Sequence, residues 1–269
     1  MLLSSKKNST AWTDFHHYWE LLQVLVARNL KVRYRGSILG VYWSLLNPLL
    51  MTGLYTAIFG TTFSSYYNNS IKNYVLAVFT GLVVINFFSA CTTQALWSVV
   101  NNGALLNKIA LPTSVFPTSM IAANTFQFAV GVLPLLAIMT LINSKSFLNV
   151  LVLFLPLIAL TLVCIGIGLL VSALFVFFRD LPYFYELIVF VLWLSSPIFY
   201  PAAIVPDTVK AYLIFNPLLP VIESIRQITL SGMQPDFALI KQALLTGVIS
   251  WALGLTCFRM WRHSFMDLL

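Results

Sequence analysis

Between Ile38 and Phe63 the chain carries no charged residue, and just before that run four cations, Arg28, Lys31, Arg33 and Arg35, fall within eight positions. About 20 helical residues cross the ~30 Å hydrocarbon core of a bilayer, so the run is long enough to span it. A cationic collar beside such a run is the signal that holds that end of the chain inside. The first expectation is therefore a membrane protein, whose function has to be a membrane function.

Only 9% of the 269 residues are charged and 59% are hydrophobic, against roughly 25% charged in soluble domains. A surface that poor in charge faces lipid. The net charge of +7 does not point to nucleic acid, because the cations gather at the ends of apolar segments, where anionic headgroups and the insertion machinery read them. Cys91, Cys164 and Cys257 lie inside apolar segments with no CxxC and no neighbouring histidine, and read as small buried hydrophobes. The polar N-terminal stretch lacks the apolar core of a cleavable signal peptide.

Six segments qualify as spans: Leu39–Phe63, Tyr74–Val100, Ser114–Ile142, Phe147–Phe178, Pro182–Tyr200 and Phe237–Phe258. With the N-terminus inside, ten Lys and Arg fall on the inner side and five on the outer, which favours both termini in the cytoplasm. The expected fold is an all-α polytopic membrane protein. Residues 1–36 form a cytoplasmic N-terminal part, 37–258 a six-helix domain and 259–269 a cytoplasmic tail.

Three connecting segments are too apolar to be solvated linkers. In residues 14–35, Phe15, Tyr18, Trp19, Leu22, Val26 and Leu30 recur at spacings of three and four. The charged residues fall mostly elsewhere, Thr13 or Asp14 can cap the start, and Gly36 can end it. That pattern predicts a helix lying in the membrane interface, either a plain anchor or a mobile element at the mouth of a pathway. The loop 101–113, NNGALLNKIALPT, predicts a short helix along the membrane that touches lipid or another protein. After SSPIFYP, where Pro197 and Pro201 break the apolar run, Asp207–Ile214 and Pro220–Leu230 predict two short helices. Glu223 and Arg226, three apart, can pair on the second. Neither segment can span, and both can dip into the outer leaflet if buried against protein.

No GxxxxGK[ST] loop and no GxGxxG is present, so ATP is not bound by those means. His16, His17 and His263 lack metal-ligand spacing. Glu186, four residues into the fifth span, is the clearest intramembrane acid, thin support for an ion-coupled carrier. If the chain drives transport, its energy is thus expected from a partner. Aromatic residues abound instead: Tyr42, Trp43, Tyr55, Phe59, Phe87, Phe88, Trp97, Trp193, Phe199 and Tyr200. Those near span ends fit interfacial belts. A subset can line a pore, where ring faces pack on the C–H faces of sugars.

Five pieces of the chain carry a resemblance. LKVRYRGSILGVYWSLLNPLL resembles the N-terminal signature of permease subunits in the type-2 class of ABC exporters for cell-surface polysaccharides, the Wzm-type O-antigen, capsule and teichoic-acid exporters. LNKIALPTSVFP is similar to their first cytoplasmic loop. FRDLPYF, SSPIFYP and FNPLLPVIESIRQITLSG resemble their fourth and fifth loops. The resemblance implies a homodimer in the bacterial inner membrane, working with two copies of a separate ATPase that holds ATP and Mg. No cofactor would sit in this chain. It implies a coupling helix at Asn101, Asn102, Leu105, Leu106 and Lys108, an interfacial gate helix at 14–35, and an external gate at 201–236 that includes Pro201, Pro206, Glu223 and Arg226. Spans one, two and five would wall a pore, with Tyr42, Tyr55, Phe59, Phe87, Phe88, Trp193, Phe199 and Tyr200 as its aromatics. The substrate would be an undecaprenyl-pyrophosphate-linked glycan, and Arg28, Lys31, Arg33 and Arg35 either contact its pyrophosphate or only set topology. A drug or small-lipid ABC permease and an ion-coupled carrier are the rival readings.

Overall fold

The computed structural model describes residues 11–106, 108, 111–213, 215–230 and 235–268. Every regular element among them is a helix: α1 (Ala11–Tyr34), α2 (Trp43–Phe63), α3 (Ile71–Asn101), α4 (Gly103–Leu106), α5 (Val115–Gly131), α6 (Leu133–Ser144), α7 (Phe147–Val152), α8 (Phe154–Phe177), α9 (Leu181–Ser195), α10 (Asp207–Leu213), α11 (Leu219–Leu230), α12 (Phe237–Trp261) and α13 (Phe265–Leu268), with four short 3₁₀ turns.

Among the described residues three helices are long and apolar enough to cross a bilayer: α3, the continuous pair α7–α8, and α12 with its terminal turn. α5 and α6 make a fourth crossing only as one broken span, bent by 46° at Val132, just ahead of Pro134. Proline removes a backbone donor there, so the helix is free to bend. α2 has the length, 21 residues. Its Asn47, Pro48 and threonines at 52, 56, 61 and 62 make it less apolar than the others. The fifth expected span is shorter than the sequence pattern predicts. α9 ends at Ser195 after 15 residues, about 22 Å at 1.5 Å per residue, because Pro197 cannot continue the helix.

α3, α8 and α12 form the centre. Gly168 of α8 faces Ala95 and Ile121, and Trp97 of α3 meets Phe175 edge-on at 4.8 Å, so residue numbers rise together and the two helices run parallel. α8 and α12 run parallel too. A Cβ on Gly247 would sit 2.8 Å from the Ala159 carbonyl, and one on Gly254 or Gly166 would overlap the facing backbone outright. Lipid tails are as apolar as leucine, so helices in a bilayer gain from close packing rather than from escaping water. Glycine supplies that closeness here.

Two apolar clusters cap this centre. At the α1 end, Leu25, Val99, Leu106, Phe116, Phe258 and Phe265 pack together. At the opposite end, Tyr74, Phe79, Ile198, Val221, Ile222, Ile225 and Ile228 do so. α1 starts at Ala11, ahead of Thr13 and Asp14, and ends where Gly36 turns back at φ 78°. Its inward line is Tyr18, Leu22, Leu25, Asn29 and Arg33, which shares Tyr18 and Leu22 with the expected face; Val26 and Leu30 are half-buried, Trp19 is exposed, Leu25 and Asn29 are buried, and the Phe15 side chain lies outside the described residues.

Candidate functional site

At the α1 end, Arg33 is enclosed by amides. Its Nη1 donates to Asn124 Oδ1 at 2.9 Å and to Gln127 Oε1 at 2.5 Å, and its Nη2 donates to Gln94 Oε1. Asn124 in turn donates from Nδ2 to Gln94 Oε1 at 2.9 Å. Asn29 donates to Ser119 at 3.2 Å, and the Tyr18 and Thr118 hydroxyls bond at 2.9 Å. α1 is thus fastened across α5 and α3 by polar contacts. Each hydrogen bond to a charged group contributes about 1.5–3 kcal/mol.

The four cations of the collar therefore separate. Arg33 is committed to the bundle. Arg28 donates to Asn102 Oδ1 at 3.3 Å, while Lys31 and Arg35 are exposed. Arg28, Arg33, Gln94, Trp97, Asn101 and Asn102 line a cavity of about 530 Å³. Beside it, Tyr34 has its hydroxyl pushed above the ordinary tyrosine range by burial, with Arg33 opposing.

The loop after α3 is a single helical turn. Leu106 is buried in the neighbouring cluster and Leu105 packs on it. Asn102 is held by its Nδ2 donating to the Ser98 carbonyl at 2.7 Å. Asn101 and Lys108 are exposed. Residues 107, 109 and 110 of this loop lie outside the described residues, as do 231–234 of the external segment and 1–10 of the N-terminal part.

Five of the eight expected channel aromatics meet at the other end. Phe199 is their hub: it stacks on Tyr55 at 5.3 Å and Phe59 at 6.1 Å, meets Trp193 at 5.6 Å, and takes Tyr200 edge-on at 5.2 Å. All five are half-buried, so one side of the sheet of rings stays open. Tyr42 is exposed near the α1 end. Phe87 pairs with Phe128 in the middle of the bundle. Phe88 is fully buried in the core, so its ring faces protein on every side and lines nothing here.

The SSPIFYP segment that carries Phe199 is extended, and side chains satisfy its backbone. Arg226 Nη2 donates to the Pro197 carbonyl at 2.8 Å and to the Ala77 carbonyl at 3.0 Å. Tyr74 donates to the Phe199 carbonyl at 2.8 Å, and Asn216 ties down the Ser196 side chain, its Nδ2 donating to Oγ at 2.9 Å. Irregular backbone survives beside a membrane only with such partners.

Arg226 does not pair with Glu223; it reaches past it to these carbonyls, and its Nε has no partner. Burial holds the Arg226 guanidinium below its ordinary range. Burial also raises the Glu223 carboxyl, with Arg226 only partly opposing. Both line an outer cavity of about 420 Å³ with Tyr66, Tyr67, Asn73 and Pro201, whereas Pro206 is exposed at the start of α10. Glu186 is exposed in a separate cavity of about 540 Å³ beside Arg179. Among the described residues it makes no ion pair. Arg179 instead bonds the Leu268 carbonyl at 3.2 Å.

Sequence reasoning missed Gln94, Asn124, Gln127, Tyr74 and Asn216. The signal was there: amides in the middle of apolar helices need partners in a bilayer.

The chain is similar along nearly its whole length to known export permeases. The chain is 29% identical over 255 residues to the O-antigen export system permease protein RfbA of Klebsiella pneumoniae, covering 94% of this chain and 96% of that one. To the RfbA protein of Myxococcus xanthus it is 28% identical, covering 94% and 97%. To the polysialic acid transport protein KpsM of Escherichia coli it is 21% identical, covering 88% and 92%. The family described as ABC-2 type transporter matches residues 20–230, most of the chain, and the protein belongs to that family.

Proposed function

We propose that this protein is the membrane permease subunit of an ABC exporter for undecaprenyl-pyrophosphate-linked polysaccharide, O-antigen in the first instance. The observation that carries the reading is the match, nearly end to end on both sides, to O-antigen export permeases. Polysialic acid transport by the more distant relative keeps capsule export as the second reading.

In this reading the permease is a homodimer in the bacterial inner membrane with both termini cytoplasmic, and two ATPase subunits bind and hydrolyse ATP with Mg. The chain crosses six times. The parallel runs of α8 and α12 support this, since the chain must return across the membrane between them, and α9 with the extended 196–200 segment offers an apolar path among the described residues. Asn101, Lys108 and the α4 turn take the push of the ATPase. Arg28 joins this turn to α1 through Asn102, so the push reaches the gate helix directly. Lys31 and Arg35, exposed and with no bonding partner among the described residues, meet the lipid pyrophosphate, as phosphate oxygens favour cationic donors. Arg33 holds the helix that presents them. The sheet of rings around Phe199, on α2, at the end of α9 and just after it, forms the glycan wall between protomers. α10 and α11 close the outer mouth.

The test is reconstitution with the partner ATPase in lipid vesicles. Lipid-linked glycan is expected to stimulate ATP hydrolysis, and the chain alone to move nothing. Stimulation by hydrophobic drugs and not by glycan overturns the reading.

A further inference from the structure

In the α1 half of the bundle a crevice of about 170 Å³ opens between α2, α3 and α5. Trp43, Asn47, Asn86, Phe87, Asn124 and Gln127 are among its walls. Four carboxamides around one cavity are out of place between membrane helices, where an unsatisfied polar group costs several kcal/mol. Asn124 and Gln127 turn their oxygens to Arg33. Among the described residues Asn47 and Asn86 bond to no protein group; Asn47 is exposed at the rim of the crevice and Asn86 is half-buried in its wall.

The neighbouring space shows that this polarity is local. Phe87 and Phe128 meet edge-on at 5.0 Å, and both rings also line a groove of about 340 Å³. That groove is walled by Ala129, Leu133, Leu157 and Ile158 and suits only hydrocarbon. The groove's two threonines, Thr125 and Thr161, bond back to carbonyls of their own helices, so the open carboxamides lie on the crevice side of the two rings.

We propose that the crevice binds an uncharged, hydroxyl-rich ring, a single sugar residue of the lipid-linked glycan. The site rests on the export reading and adds to it a place where the sugar itself is recognised. A carboxamide offers both donors and an acceptor, the complement of neighbouring hydroxyls. Trp43 and Phe87 offer apolar ring surface for the C–H face. The volume equals about six waters at ~30 Å³ each, room for one ring and not for an oligomer. No charged side chain lines it. Arg33, the nearest, spends its fork on amide oxygens and lines the 530 Å³ cavity instead. Its hydrogen bonds form the partition between a cationic chamber and a neutral one, which sorts phosphate from sugar.

The test uses the permease with its ATPase in nanodiscs. Stimulation of ATP hydrolysis is titrated with a lipid-linked disaccharide and, separately, with polyprenyl pyrophosphate bearing no sugar. For Asn47→Leu and Asn86→Leu the half-saturating concentration of the disaccharide lipid is expected to rise about tenfold, equivalent to roughly 1.4 kcal/mol. The response to the sugar-free lipid stays unchanged. Asn86→Ser, which keeps one hydrogen-bonding group, gives a smaller rise and carries the test if the leucine variant does not fold. An equal rise for both lipids, or no rise in Asn47→Leu and Asn86→Ser, overturns the site. A wild type that ignores the disaccharide lipid overturns the export reading and the site together; a responsive wild type with unaltered variants overturns the site alone.

Discussion

α12 meets α8 along a seam where Gly166, Gly247 and Gly254 bring backbone against backbone. α9, equally apolar, buries only Tyr185 and turns Tyr183, Phe184, Leu187, Ile188, Phe190, Val191 and Leu194 outward. In water such a face would force association; in a bilayer lipid covers it at no cost. Hydrophobicity therefore does not decide which helix is fixed. Glycine placement does, together with the few polar side chains that lock an element to its neighbour. α3, α8 and α12 are fixed by the first device, and α1 and the SSPIFYP segment by the second. α9 has neither along most of its length, which leaves it free to move against the bundle or to meet a second copy.

The comparison breaks most completely at the seam. Gly254→Leu is expected to abolish the folded protein, since overpacking costs about 1–3 kcal/mol even where neighbours can shift and here the obstacle is backbone. Size-exclusion profiles in detergent check this. Arg33→Ala is next. Losing charge-assisted bonds worth about 1.5–3 kcal/mol each releases α1, read as faster protease cleavage between residues 11 and 36 with the remaining bundle intact. Phe199→Ala removes the hub of the ring sheet and is expected to lower the melting temperature by a few degrees, a shift of about 1 kcal/mol, while transport falls further than stability does.

Glu223 gives a smaller, pH-dependent effect. Its carboxyl is raised in the fold, so the folded state holds a proton that the unfolded chain gives up. Stability is therefore highest below the ordinary glutamate range and declines as pH rises through the raised one. Glu223→Gln should flatten that decline in a thermal series across pH. Smallest of all, Leu187→Ala on α9 is expected to change the stability of the single chain by no more than about 0.5 kcal/mol, checked by the same melts. A large loss there would show α9 to be as fixed as α12.

The apolar runs made the helices legible, including the two short ones, found at Asp207–Leu213 and Leu219–Leu230. Periodicity cannot show how a run is divided: the bend at Val132 and the early end of α9 follow from prolines acting inside otherwise continuous apolar stretches. The aromatic site was partly legible. Tyr55, Phe59, Trp193, Phe199 and Tyr200 do come together, but composition did not separate them from Phe88, which lies on the core side of α3. The polar locks were least legible. Arg33 looked like its neighbours Lys31 and Arg35 because a charge count does not record which face of α1 meets Gln94, Asn124 and Gln127. The same blindness paired Glu223 with Arg226, whose guanidinium instead serves two carbonyls.

The glycine seam also sets an order of events. α8 leaves the ribosome well before α12, so during synthesis its glycine face waits in the membrane with lipid for a neighbour. Only when α12 arrives does the bundle close. A chain stopped after α9 would keep that notch open, with lipid where the backbone of α12 would lie.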